Sequence, residues 1–389
     1  MFLLYGAVGD ALGFLVESGI NKRIEEFIDW YDPKSKEEFK KGEYSDDTQL
    51  TLAVARSIWD GEFHPEYFSY VELPLWVYYR RGAGKATTKA AMNLFSSRIQ
   101  WYGNFYPGYE NAGGSGAATR VSPIVAAFDN EEDIVRYVIY SSIITHGNSK
   151  ALVGAIITAS TMYSAKNKSI DKNFIISNFK AFYNIAKELF QNDETLIEWE
   201  RNYPRNFTED FGSTYTNTIE KAMLIDKTDG YPTVCKKAGE YDSPGLGTSV
   251  SLCAFGLALK LDDVSAKELL LTSANERGTD ADTIAAILGS TIGFYMKEDD
   301  DLAEMAKDIQ DYNYLLNMQS KLLSKKFKGR TINRQEVRNY ALELEKALKA
   351  SKLPEIPHPV FGKLTVLEER GKIFKVGSQE GQTLFIKHQ

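Results

Sequence analysis

Cysteine and histidine are scarce in this sequence. Cys235 and Cys253 are its only thiols among 389 residues, which excludes a disulfide framework and a thiolate metal site. Four scattered histidines cannot build an imidazole-rich metal centre. No stretch reaches the roughly 18 uninterrupted apolar residues of a membrane span. The opening Met1-Phe2-Leu3-Leu4-Tyr5-Gly6 turns acidic at Asp10 and has neither the basic flank nor the cleavage site of a secretory signal. A cytoplasmic protein without a membrane partner is therefore expected. Positive charge is also in deficit, with 46 Lys and Arg against 53 Asp and Glu and a net charge of -7. Non-specific capture of nucleic acid, which requires phosphate-neutralising cations, is excluded.

What the chain does have is apolar residues, 43% of the total, enough for a substantial core. It also carries two acidic clusters of one design. Ser45-Asp46-Asp47-Thr48 stands directly before a periodic apolar run from Leu50 to Trp59, and Glu276-Arg277-Gly278-Thr279-Asp280-Ala281-Asp282-Thr283 directly before the small-residue run Ile284 to Tyr295. Each cluster presents carboxylates and a hydroxyl at a helix start, where unpaired backbone N–H groups and the macrodipole favour negative oxygen. Helix capping would need only one of these residues. Four carboxylates with hydroxyls form a hard-oxygen donor set, suited to Mg²⁺, Ca²⁺ or Mn²⁺ and unsuited to zinc.

Glycine is placed with a pattern. Gly6, Gly9 and Gly13 lie in a helical stretch over residues 4–17, although each weakens a helix by about 1 kcal/mol relative to alanine. Ala285, Gly289 and Gly293 form a matching face four residues apart, so the two helices are expected to cross closely at the centre of the fold. Glu17 then emerges beside the second acidic cluster. Gly113, Gly114 and Gly116 form a turn whose backbone N–H groups can approach an anion. The neighbouring Tyr102, Phe105, Tyr106 and Tyr109 could stack a base or simply pack the loop. Arg80 to Ala86 has the basic and glycine residues of a phosphate loop but fails its test, because Ala86 stands where the metal-binding hydroxyl belongs.

Elsewhere a short helix is expected within residues 21–44, two helices around Thr145-His146-Gly147-Asn148, one amphipathic helix over 172–200 and a lid-like loop with short helical pieces over 202–244. The acidic run from Glu298 to Asp301 marks another helix start. After Leu353 the composition changes. Pro354, Pro357 and Pro359 punctuate a linker, and three alternating runs beginning at Lys363, Lys372 and Gln382 predict a small β-meander. The division expected is a helical domain over 1–353 and a small β appendage over 354–389.

The sequence resembles the ADP-ribosylglycohydrolase family, which includes dinitrogenase reductase-activating glycohydrolases and ADP-ribosylarginine hydrolases. The likeness covers residues 4 to about 300. It rests on Gly6-Ala-Val-Gly-Asp-Ala-Leu-Gly with Glu17, Ser45-Asp-Asp-Thr, Ser115-Gly-Ala-Ala-Thr-Arg-Val-Ser-Pro-Ile, Thr145-His146 and Asp280-Ala-Asp-Thr-Ile-Ala-Ala-Ile. The resemblance implies an all-α orthogonal helical bundle, to which the C-terminal β-meander would be an addition. It implies two Mg²⁺ ions held by Ser45, Asp46, Asp47, Asp280, Asp282 and Thr283, a diphosphate turn at Gly114, Ser115 and Gly116, and His146 lining the ADP-ribose site. Two positions depart from the family pattern: Ser115-Gly116 replaces an Asn-Gly pair, and Gly278-Thr279 a Gly-Gly pair. The implied activity is Mg²⁺-dependent removal of ADP-ribose from a modified macromolecule, ADP-ribosylarginine on protein first. Glu17 is the expected acid/base and Asp47 the alternative. ADP-ribosylated protein would be the substrate, ADP-ribose the product, and a cognate ADP-ribosyltransferase the partner whose work is undone. The competing reading, a catalytically silent ADP-ribose reader or immunity-type protein, is opposed by the intact acids.

Overall fold

The computed structural model describes residues 1–17, 19–20, 22–33, 36–296, 299–325, 327–329 and 331–388. Its centre is the crossing of helices Phe2–Glu17 and Ala281–Tyr295, each buried over almost its whole length. Neither has a polar face, and a helix that is apolar all round belongs in the interior. Their backbones touch. A Cβ added at Gly9 would overlap the Ala285 carbonyl, one at Gly289 would overlap the Tyr5 carbonyl, and one at Gly13 would strike the backbone of Asp282. Glycine at position 13 thus lets the second acidic cluster sit against the end of the first helix. Phe2 stacks on Phe294 with ring centroids 4.7 Å apart, at the far end of the crossing.

Helices Ser149–Lys166 and Gly247–Ala258 pack beside this pair and meet at Gly154 and Gly247. Helices Glu131–Ile143 and Lys172–Asn192 lie outside them. The architecture is the all-α body that the resemblance implies, with only small sheets among the described residues.

Several local expectations are corrected. Residues 202–244 are mostly helical: Phe207–Leu224 buries Phe207, Phe211, Tyr215, Thr218 and Ala222, a helical stripe masked by weak helix formers, and Tyr231–Ala238 follows. The 172–200 segment is two helices, because the Asp193 side chain caps Glu194–Asn202 at Thr195 N and Leu196 N. In place of a short helix, Trp30–Asp32 and Glu37–Phe39 form a hairpin closed by the Trp30–Phe39 stack at 4.3 Å. The helix after Ser45 stops at Arg56, and Ile58–Trp59 pairs instead with Glu62–Phe63. Glu298 lies outside the described residues; Asp299 caps helix Asp300–Ala306.

The three C-terminal runs form strands Leu364–Arg370, Ile373–Ser378 and Thr383–Lys387, antiparallel in chain order with Val366, Val376 and Leu384 in register. Phe374, Val376, Leu384 and Ile386 are buried, whereas most of the first strand is exposed.

Candidate active site

The first acidic cluster is shaped by a carboxylate behind it. Asp10, fully buried on the central helix, accepts from Ser45 N at 3.1 Å, from Thr48 N at 2.9 Å and from Thr48 Oγ1 at 2.6 Å. Burial pushes the Asp10 carboxyl up and these hydrogen bonds draw it back. Ser45 is extended and caps the helix, its hydroxyl accepting from Asp47 N at 3.1 Å. Asp46 and Asp47 therefore leave the first turn side by side. The segment that fails as a phosphate loop wraps Asp46: backbone N–H groups at Gly84 and at Asp46 itself support its carboxylate, and Gly82 leaves room beside Asp46 Oδ1.

The second cluster has its own bracing acid. Glu240 is fully buried and accepts from Asp280 N at 3.0 Å and Gly245 N at 2.9 Å, with Ser249 Oγ on its other oxygen. Asp280 makes no cap bond of its own, and its Oδ2 accepts from Ser115 Oγ at 2.7 Å.

The two helix starts meet. Thr283 Oγ1 donates to Asp47 Oδ2 at 2.8 Å, across 236 residues of chain. Carboxylate oxygens of Glu17, Asp280 and Asp282 lie within 4.8 Å of one another. Burial and the neighbouring Asp10 push Asp46 up to about 8. Asp47 and Asp282 are held well above the usual carboxylate range, first by burial and then by surrounding acids: Asp46 and Asp10 for Asp47, Glu17 and Asp280 for Asp282. Such a group of acids cannot all ionise at neutral pH unless a cation joins them. The donors are all oxygen, with carboxylates on two rigid helices, and they fit a hard divalent ion.

Beside the acids lies the glycine turn. Gly114 bridges Leu246, and Gly247 N donates to Gly113 O at 3.0 Å, so the turn is seated on the strip that leads to Asp280. Gly116 faces His146: an ideal Cβ there would stand 3.5 Å from His146 Cε1. Arg120 lies fully buried beneath the turn, donating to Gly116 O at 2.7 Å, Ser141 O at 2.7 Å and Thr145 Oγ1 at 2.6 Å. Among the described residues it forms no ion pair. Burial lowers its guanidinium to about 9, and Asp47 opposes that shift. Thr145 Oγ1, receiving from Arg120, also shares a hydrogen bond with His146 Nδ1 at 2.7 Å and so fixes the ring beside the turn. Burial, then Arg120, push His146 down to about 3, so the ring is neutral.

A family model described as ADP-ribosylglycohydrolase matches residues 2–331. The chain belongs to the ADP-ribosylglycohydrolase family. A solved structure described as an ADP-ribosylglycohydrolase-related protein complex aligns with a TM-score of 0.56 at 17% identity, over 84% of this chain and 98% of that one, which is a likeness of fold. No curated protein matches the sequence. As a family member the chain is a glycoside-type hydrolase acting on ADP-ribosylated material.

Of the residues singled out in the sequence, the structure brings Glu17, Ser45, Asp46, Asp47, Asp280, Asp282 and Thr283 to the two helix starts, and Gly114, Ser115, Gly116 and His146 to the adjoining turn. Tyr106 and Tyr109 are buried packing residues, 5.5 Å apart edge to face, with Trp199 Nε1 donating to Tyr109 Oη at 2.9 Å. Sequence reasoning missed Asp10, Arg120 and Glu240. An acid inside the otherwise apolar Gly6–Gly13 stretch was a usable signal for Asp10, whereas Glu240 has none.

Proposed function

We propose that this ADP-ribosylglycohydrolase is Mg²⁺-dependent, removes ADP-ribose from arginine-modified protein and so reverses the work of an ADP-ribosyltransferase. The observation that carries the reading is the convergence of Glu17, Asp280 and Asp282, with Thr283 tied to Asp47. Ser45, Asp46, Asp47, Asp280, Asp282 and Thr283 would hold two Mg²⁺ ions. Bound there, they would supply the positive charge that orients the ribose hydroxyls and acidifies a water. The backbone of Gly114, Ser115 and Gly116 would receive the diphosphate, and His146 would line the ADP-ribose site beside it.

Glu17 is the most exposed of the converging acids and stands where a substrate can reach it. Its carboxylate would take the proton of the attacking water and return it to the leaving nitrogen as the C1″–N bond breaks. The bond opens through an oxocarbenium-like state, which the ionised Glu17 carboxylate beside it would favour. Incubating the protein with arginine-ADP-ribosylated protein should release free ADP-ribose, with release stopping in EDTA and in Asp280→Asn or Asp282→Asn. Full activity in either variant would sink the metal assignment. Measurable ADP-ribose binding with no release from arginine, serine or nucleic-acid conjugates would favour a reader.

A further inference from the structure

The two residues immediately before Ser45 are held by the C-terminal sheet. Glu43, almost fully buried, accepts from Arg370 Nη1 of the first strand at 2.9 Å, and Lys375 Nζ of the second strand lies 3.5 Å from the same oxygen. Its other oxygen accepts from Arg81 Nη1 at 3.0 Å and Lys40 N at 3.1 Å. Tyr44 donates to Asp311 Oδ2 at 2.6 Å, and Asp311 in turn accepts from Thr383 N at 2.9 Å and Thr383 Oγ1 at 2.6 Å, in the third strand. Each strand thus supplies one hold.

The sheet also grips both sides of the cluster. At the far end of helix Asp46–Arg56, Arg56 Nη1 donates to Gln382 Oε1 at 2.6 Å while its Nε and Nη2 pair with buried Glu72 at 2.8 Å. Arg81 lies between the rings of Phe39 and strand residue Phe385, at 4.1 and 3.9 Å, and is followed by Gly82 beside Asp46. Between the hairpin strand Glu37–Phe39 and the helix at Asp46 the backbone follows no regular element. Two backbone bonds, Glu43 N to Lys40 O at 3.1 Å and Gln310 N to Gly42 O at 3.0 Å, share in holding it; the rest falls to side chains, and a buried carboxylate such as Glu43 holds its place only while its cations are present.

We propose that the C-terminal sheet is a brace for the first acidic cluster, with Arg370, Lys375 and Thr383 acting as positioning residues that fix Ser45, Asp46 and Asp47 through Glu43 and Asp311. This rests on the reading that those residues hold a divalent cation. The sheet then tunes cation affinity from outside the site, touching neither ion nor substrate.

The test uses the full chain with Arg370→Met and Lys375→Met together, and Thr383→Val separately. Mn²⁺ binding is followed by electron paramagnetic resonance, and amide exchange is measured in metal-free protein. The brace predicts Mn²⁺ affinity about tenfold weaker. It also predicts exchange at Ser45 and Thr48 about tenfold faster. Protection in helix Ala281–Tyr295 should be unchanged, and Arg370→Lys should restore most of both effects. Leu367→Ser, on the exposed first strand, should change neither. Should the double variant fail to fold, Thr383→Val carries the same readouts. Lower thermal stability with unaltered Mn²⁺ affinity and unaltered exchange at Ser45 and Thr48 would overturn the brace. Faster exchange at those amides, in a protein whose unaltered form binds no Mn²⁺, would support the brace and overturn the cation reading instead.

Discussion

The two acidic clusters present the same chemistry and are held in opposite ways. The one at Asp280–Thr283 sits on a helix whose backbone is pressed against another backbone, with Gly13 at the point of contact. Its helix is placed by sterics between those neighbours, with Glu240 as a single local polar brace on Asp280 N. The one at Ser45–Thr48 depends on polar bonds to groups far along the chain: Asp10, Glu43 with Arg370, and Tyr44 with Asp311. One is set by close packing, which tolerates almost no added volume, and the other by a network that can be loosened bond by bond.

The sharpest way to break this contrast is to force the packed helices apart. Gly9→Val introduces carbon where the Ala285 carbonyl already stands, and backbone cannot step aside as a side chain can. We expect destabilisation of more than about 3 kcal/mol, read as a large fall in the urea midpoint or failure to accumulate as folded protein. A midpoint within error of the parent would mean that the helices do not cross as closely as described.

Next in size are the two bracing acids. Asp10→Asn turns an acceptor of three bonds into a group that offers N–H to Ser45 N or Thr48 N, and Glu240→Gln does the same to Asp280 N or Gly245 N. Each should lower cation affinity or turnover by about 10- to 100-fold, as loss of a ligand-orienting partner does. Their signatures should separate by amide exchange: Asp10→Asn speeds exchange at Ser45 and Thr48, and Glu240→Gln at Asp280. Equal exchange at both clusters in both variants would mean that the clusters move as one unit and the contrast is false.

The same contrast explains what the sequence made visible. Backbone packing leaves a mark, because only small residues serve it, and so Gly9, Gly13 and Gly289 announced the central crossing. The helix starts were equally legible from Ser45-Asp46-Asp47 and Asp280-Asp282, and the alternation after Lys363 announced the strands. A long-range polar bond leaves no such mark. Glu43 and Glu240 look like any surface acid until Arg370 or Asp280 N is seen beside them, and Arg120 inside a turn sequence gives no hint that it lies fully buried. Helix Phe207–Leu224 was hidden for another reason. Its Thr, Gly and Asn content predicts loop, while its stability comes from aromatic packing such as the Phe190–Phe207 contact at 5.3 Å.

The smallest expected effect concerns charge, and it sharpens the contrast at the polar cluster. Asp46 is raised in the folded chain from the ordinary 3.8 to about 8, so the fold favours its protonated form. The stability this contributes is fully present below pH 4 and is lost as pH rises through about 8. Histidine works the other way: His146 and His358 are lowered to about 3 by burial, so their contribution is present above pH 6.5 and is lost on acidification. Between pH 7 and pH 9 the histidines are neutral in both states, and the raised acids Asp46, Asp47 and Asp282 together outweigh the N-terminal amine, which burial lowers to about 6 and which pulls the other way. Metal-free protein should therefore melt a few degrees lower at pH 9 than at pH 7, and Asp46→Asn should reduce that slope, leaving the share of Asp47 and Asp282. Mg²⁺ should flatten it too, since a cation stabilises the ionised carboxylates of the fold. A slope of equal size with and without Mg²⁺ would place the titrating group outside the cation site, and the polar cluster would then be held by its brace alone.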